Sequence, residues 1–135
     1  MRTVLDTNIL VSGLLTPFGP SGKIVRMVFS GDLILCIDAR ILSEYREVLY
    51  RPKFKFDKHK ISMLIDFIKQ YGEIVSSSPL KYPLPDPDDE PFLEVAMAGN
   101  VKTLITGNKV HFPSASLEGI KIVSPSEFID LWQKN

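Results

Sequence analysis

Short apolar runs alternate along this chain with longer stretches whose apolar residues recur at helical spacing. Arg2 to Leu5 is a predicted strand that ends at an acid, Asp6. Asp6-Thr7-Asn8 has two readings, an Asx turn closing that strand or an acid at least half buried that needs a partner, and a loop rich in Pro and Gly follows, through Thr16 to Gly22. Lys23 to Phe29 is a helix stopped by Gly31, and Leu33 to Ile37 is a second strand. Asp38 is a good N-cap for the next helix, where Ile41, Leu42, Tyr45, Val48 and Leu49 share a face and Pro52 forces an end. Asp57 caps another helix, with Ile61, Leu64, Ile65 and Ile68 as its buried stripe and Gly72 as its stop.

Glu73 to Val75 is a brief strand. Ser76 to Pro87 holds three serines and four prolines and cannot be regular structure. It delivers the chain to Asp86-Pro87-Asp88-Asp89-Glu90, and a helix runs from about Asp89 to Ala98. Val101 to Ile105 and Ile120 to Val123 are the last strands. Ser124-Pro125-Ser126-Glu127 is a capping box with Pro at the first helical position, opening a helix through Trp132. This alternation predicts an α/β fold with a central, mainly parallel sheet. At 135 residues the chain is the size of a single domain, 1–135.

Composition narrows the classes. Sixteen Lys and Arg balance sixteen Asp and Glu, which argues against a nucleic-acid coat protein or a membrane-surface binder but leaves room for a local basic patch. Cys36 is the only cysteine, so an internal disulfide and a cysteine zinc site are excluded; within its apolar run it reads as a small buried hydrophobe. No run approaches the ~18 apolar residues of a membrane span, and an acid arrives at position 6 before any signal-length stretch. The expected location is the cytoplasm, with no membrane partner. A Gly-rich phosphate-binding fingerprint is missing. A response-regulator receiver would want paired acids after the first strand, where Asp6-Thr7 supplies one.

The position of the acids is more informative than their number. Ligands of a parallel α/β sheet bind beyond the carboxyl ends of its strands. Asp6 ends the first strand, Thr106-Gly107-Asn108 follows a late one, Glu44 lies early in the helix after the second, and Asp86, Asp88 and Asp89 stand at a loop-to-helix junction. Acids gathered at one edge repel one another unless a cation neutralises them, and oxygen donors suit Mg²⁺ or Mn²⁺. Asp89 is the first choice of ligand in its cluster, Asp86 the second, and Asp88 the helix cap. Thr7, Asn8 and Thr106 are candidate hydrogen-bond partners for water or phosphate. Arg51, Lys53, Lys55 and Lys58, interleaved with Phe54 and Phe56, are candidate RNA contacts, since bases neutralise phosphates and rings stack on nucleobases. His59 and His111 read as ordinary surface or structural residues.

Four segments together resemble a PIN domain: Val4-Leu5-Asp6-Thr7-Asn8-Ile9-Leu10, Leu42-Ser43-Glu44-Tyr45-Arg46-Glu47-Val48-Leu49, Asp86-Pro87-Asp88-Asp89-Glu90-Pro91-Phe92-Leu93-Glu94-Val95-Ala96 and Thr106-Gly107-Asn108-Lys109. The match is close to the bacterial and archaeal subgroup regarded as toxins of toxin–antitoxin systems, which Arg51-Pro52-Lys53-Phe54 also fits, and it runs from Thr3 to about Phe128. The resemblance implies a three-layer α/β/α domain and a Mg²⁺- or Mn²⁺-dependent ribonuclease cutting single-stranded RNA. The catalytic acids would be Asp6, Glu44 and Asp89, with Asp86 nearby. It also implies an antitoxin protein as partner and a homodimer or higher homo-oligomer. The fourth acidic position of the family falls on Asn108, which offers an amide oxygen to a metal and no negative charge. The alternative reading that follows is a catalytically weakened or inactive PIN-fold module that binds RNA or protein.

Overall fold

A computed structural model describes residues 1–113 and 118–134 of the chain. The strands Arg2–Leu5 (β1), Ile34–Ile37 (β2), Glu73–Ile74 (β3), Thr103–Ile105 (β4) and Lys121–Val123 (β5) form one sheet, every pair parallel, in the order β3-β2-β1-β4-β5. Six α-helices among the described residues flank it: Thr7–Leu15 (α1), Pro20–Ser30 (α2), Ala39–Leu49 (α3), Lys58–Tyr71 (α4), Glu90–Ala98 (α5) and Pro125–Lys134 (α6). The result is the expected three-layer α/β/α arrangement. Helices on both faces explain why the central strands are continuously apolar: Val4, Leu5, Leu35, Cys36, Ile37, Leu104 and Ile105 are all buried. No helix of the described residues is long and apolar enough to cross a membrane.

Strand order carries the functional consequence. From β1 the chain builds outward through β2 to β3, then α5 carries it back across the sheet to β4 on the other side of β1. Leu5 pairs with Ile105 at the carboxyl ends of β1 and β4. Connections leave these two neighbouring strands in opposite directions, which opens a crevice between them.

The caps read from sequence are present. The Asp38 side chain accepts from the Ile41 amide at 3.0 Å. Asp57 accepts from the amides of His59 and Lys60 at 2.9 and 3.1 Å. Ser124 and Glu127 make both reciprocal bonds of their capping box, at 2.8 and 3.2 Å. After β3, the chain to Asp86 is irregular, as its prolines require, and is tied down by Arg40. That guanidinium reaches Asp38 at 2.7 Å, the buried Glu94 of α5 at 2.8 Å and the Ser77 hydroxyl at 3.1 Å.

The segment after Asp6 departs from expectation. It is the nine-residue helix α1, with Asp6 at its N-cap position, and not an Asx turn leading into a loop. Ile9, Leu10, Val11, Leu14 and Leu15 are apolar on nearly every side, so no amphipathic stripe announces a helix. Packing supplies what periodicity lacks, because α1 lies against both α2 and α3. The Pro-Gly loop is correspondingly shorter, since Pro20, Ser21 and Gly22 already belong to α2.

Close approach of α1 and α2 rests on glycine. A Cβ placed on Gly13 would stand 2.6 Å from Val25 Cγ2 and 2.8 Å from the Ser21 carbonyl oxygen. In an ordinary helix interior Gly→Ala gains about 1 kcal/mol. Here the clash reverses the sign: Gly13→Ala should destabilise the protein by about 1–3 kcal/mol, read as a lowered urea midpoint with an unchanged m-value.

Candidate functional site

The acids meet where the strand order opens the sheet. Asp6, at the end of β1, is 5 % exposed, and its amide donates to the Ile105 carbonyl at 2.9 Å, which sets it beside β4. Its side chain makes no capping bond to α1. Its Oδ2 instead accepts from the Thr106 hydroxyl at 2.7 Å, and Thr106 Oγ1 accepts in turn from the Asn108 amide at 3.0 Å. Burial pushes the Asp6 carboxyl above its usual range; the Thr106 hydroxyl and the amides of Thr7 and Asn8 pull it partly back.

Glu44 reaches the same place from α3. The neighbouring Tyr45 is fully buried, and its hydroxyl donates to the Leu5 carbonyl at the end of β1. This fixes α3 over the strand end and turns Glu44 toward Asp6. Thr7 Oγ1 donates to Glu44 Oε2. Burial raises the Glu44 carboxyl, Thr7 opposes the rise, and the nearby charges of Asp6, Asp88 and Asp89 add to it.

The third contribution is a single 3-10 turn, Pro87–Asp89, leading into α5. The cap of this turn is Asp86, whose Oδ1 accepts from the Asp88 amide at 2.9 Å. The capping role expected of Asp88 therefore falls to Asp86, and Asp88 is exposed. Asp89 is mostly buried, with 14 % of its side chain exposed. Its Oδ2 is shielded from water and faces the imidazole of His111. Burial and the charge of Asp6 push Asp89 up to about 6; Asp86 adds to the rise and His111 opposes it.

His111 is the residue that sequence reasoning missed. It ends a 3-10 turn, Lys109–His111, beyond β4, and its Nδ1 lies 3.1 Å from Asp89 Oδ2. No spacing signal could have found it, because the contact joins elements brought together by the crossing of α5. Asn108 has the opposite fate. It is exposed, and it is not among the residues lining the acidic cleft. Its backbone amide, bonded to Thr106, is the part that serves the site.

These groups line a cleft of about 300 Å³ that also includes Thr7, Asn8, Arg51, Lys53 and Phe54. Arg51 and Lys53 thus stand at the mouth of the acidic site, while Lys55 and Lys58 lie outside it. Lys53 Nζ sits 5.1 Å from the Phe54 ring centre, and Phe54 stacks on Phe56 with centroids 5.5 Å apart. A larger apolar groove, about 420 Å³, runs between Phe29, Phe67 and Tyr71, but no carboxylate, imidazole or cation lines it. The chemistry belongs to the acidic cleft.

A PIN domain family model matches residues 2–110. The chain belongs to the PIN domain family. PIN domains are generally nucleases and typically use divalent metals. The chain is also similar to an uncharacterized protein of Methanocaldococcus jannaschii, 24% identical over 145 residues that cover 99% of this chain and 93% of that one. The donor set of this PIN domain fits a hard divalent cation: Asp6, Glu44 and Asp89 offer oxygens, all three carboxyls are raised, and Asp89 Oδ2 is shielded from water. As the side chains stand, no three such groups among the described residues already converge on one point. Sharing an ion would draw them together.

The raised Asp89 has a measurable consequence. Its proton is held more tightly in the folded chain than in the unfolded one, so its destabilising effect is absent below about pH 4 and grows as pH rises to about 6. In EDTA, Asp89→Asn should raise the melting temperature by several degrees at pH 7.5, with the gain shrinking toward zero near pH 4. Thermal melts across that range check it.

Proposed function

We propose that this PIN domain is a Mg²⁺- or Mn²⁺-dependent endoribonuclease acting on single-stranded RNA in the cytoplasm. The observation that carries the reading is that Asp6, Glu44 and the water-shielded Oδ2 of Asp89 line one cleft, where all three carboxyls are held above their ordinary range. Carboxylates buried beside one another are costly, and a cation is the partner that would relieve all three acids at once.

Asp6, Glu44 and Asp89 would hold the ion. When bound, it would supply an acidified water and a charge to polarise the phosphoryl group. The chain's own residues do the rest. Thr106 holds Asp6 by the oxygen it bonds, and Thr7 does the same for Glu44. Neither hydroxyl is free for phosphate as the side chains stand, so both act as positioning residues; Asn8, exposed on the cleft wall, is the one of the three candidates open to substrate. Arg51 and Lys53 would take the flanking phosphates. Phe54 offers a ring for an unpaired base, which favours single strands over duplex.

The alternative, a weakened or inactive binding module, rests on Asn108. That side chain is exposed and outside the cleft, where Asp6, Glu44, Asp86, Asp88 and Asp89 all contribute acid. The catalytic reading is therefore favoured. A toxin role, with an antitoxin protein closing this cleft, and self-association into a dimer or higher oligomer belong to the same reading.

Two experiments test it. Asp6→Asn should lower Mn²⁺-dependent cleavage of a single-stranded RNA by about 100-fold or more while circular dichroism is unchanged; full activity in the variant defeats the assignment. Arg51→Ala and Lys53→Ala should each weaken RNA binding and reduce its salt slope by about one, with Lys55→Ala and Lys58→Ala near neutral. Equal losses at all four positions would point to diffuse charge and not to the cleft mouth.

A further inference from the structure

Away from the acids, the cleft changes character. Thr7 and Val11 stand one turn apart on α1, and Glu44 and Val48 one turn apart on α3, and all four line the cleft. The two helices pack against each other. A step of about 6 Å along either helix therefore leads from the acidic floor to an apolar wall, Val11 and Val48. Beyond that wall come Arg51, Lys53 and Phe54. Phe56 backs the Phe54 ring, with 17° between their planes, and the exposed Lys53 arm sits over the ring at 5.1 Å. A flat aromatic guest can take that place while the ammonium turns to a phosphate.

Asn8 completes this half of the cleft. It is exposed on the first turn of α1. Thr7 and Thr106 spend their hydroxyls on Glu44 and Asp6, whereas the Asn8 carboxamide has no such bond among the described residues. A carboxamide is neutral and sets a donor beside an acceptor. Phosphate needs donors and positive charge, which Arg51 and Lys53 already bring to the cleft. A donor beside an acceptor matches the edge of a nucleobase.

We propose that this half of the cleft is a nucleobase subsite: Phe54 stacks on the base against the Val11 and Val48 wall, and Asn8 reads its edge, which makes cleavage selective for adenine beside the scissile phosphate. The inference rests on the proposed ribonuclease function and adds a base preference to it. Adenine sets its amino donor between two ring acceptors, so an amide can pair with it on either edge. The corresponding outer edge of guanine carries acceptors alone.

The test gives the full chain, with Mn²⁺, single strands of uridine that differ at one position: uridine, adenosine, guanosine or an abasic ribose. That position is moved along the strand and the cuts are mapped. Wild type should cut beside the adenosine, following it as it moves, about tenfold or more faster than the same linkage among uridines, and should be slowest beside the abasic ribose. Asn8→Ala should bring the adenosine-to-uridine ratio below about threefold. Phe54→Leu should slow both and keep the ratio, because stacking accepts any base. Fluorescence anisotropy with the slow-cutting Asp6→Asn chain, with and without Asn8→Ala, gives the same ratios for binding. Equal cutting at every base, a ratio unchanged in Asn8→Ala, or undiminished cutting beside the abasic ribose overturns the base subsite and leaves the proposed function standing. Failure to cut any strand overturns the proposed function, and the binding ratios then decide the subsite alone.

Discussion

Burial of one carboxylate, Asp6, at the carboxyl end of the central strand organises the rest of this structure. A carboxyl 5 % exposed costs stability unless something compensates. The sheet compensates only in part: one oxygen takes the Thr106 hydroxyl, and the amides opening α1 lend a weak positive field. What remains is a group still raised by its burial. The elements around it are explained by that residue. Parallel order puts β4 beside β1, so Thr106 can reach across; Tyr45 fastens α3 to the Leu5 carbonyl, so Glu44 arrives from above. Arg40 holds the irregular segment that returns from the far edge to deliver Asp89.

The charge balance of the chain is then a sum over separated regions. The acids that perturb one another lie inside the cleft, and Arg51 and Lys53 stand at its mouth. Neither group shows in a total of zero. A uniformly basic protein would attract nucleic acid everywhere along its surface. This one offers attraction at one margin and repulsion at the floor, and in the proposed reaction a cation would offset part of the floor's charge and present a positive centre to phosphate. Dependence on metal and restriction of binding to the cleft then have a common electrostatic origin.

Much of the architecture was legible because its signals are local. Asp38, Asp57 and the Ser124–Glu127 box announce helix starts through hydrogen bonds made within a few residues, and the strands announce themselves as apolar runs. The resemblance carried by the segments around Asp6, Glu44, Asp89 and Thr106 reached the family. Helix α1 was illegible for a physical reason: Val11, Leu14 and Leu15 put apolar residues on its less buried side as well, and period cannot be read from near-uniform apolarity. The cap of the Pro87–Asp89 turn went to Asp86 and not Asp88, because a 3-10 turn begins two residues earlier than the helix expected there. His111 was illegible for another reason. Its contact with Asp89 depends on where α5 and the turn after β4 fall in space, and no sequence interval encodes that.

Asn108 and His111 sit three positions apart on one turn, and their roles are complementary. An acid at position 108 would place another charge near a cleft whose carboxyls already raise one another. An amide keeps the backbone donor that Thr106 needs, and through Thr106 the orientation of Asp6. The same turn then presents an imidazole to Asp89, whose charge it offsets. Positioning of Asp6 and relief of Asp89 are therefore both assigned to a single short turn. Phe112 packs into the core at one end of that turn and Lys109 pairs with Glu127 of α6 at the other, and these contacts set where the groups facing the cleft stand.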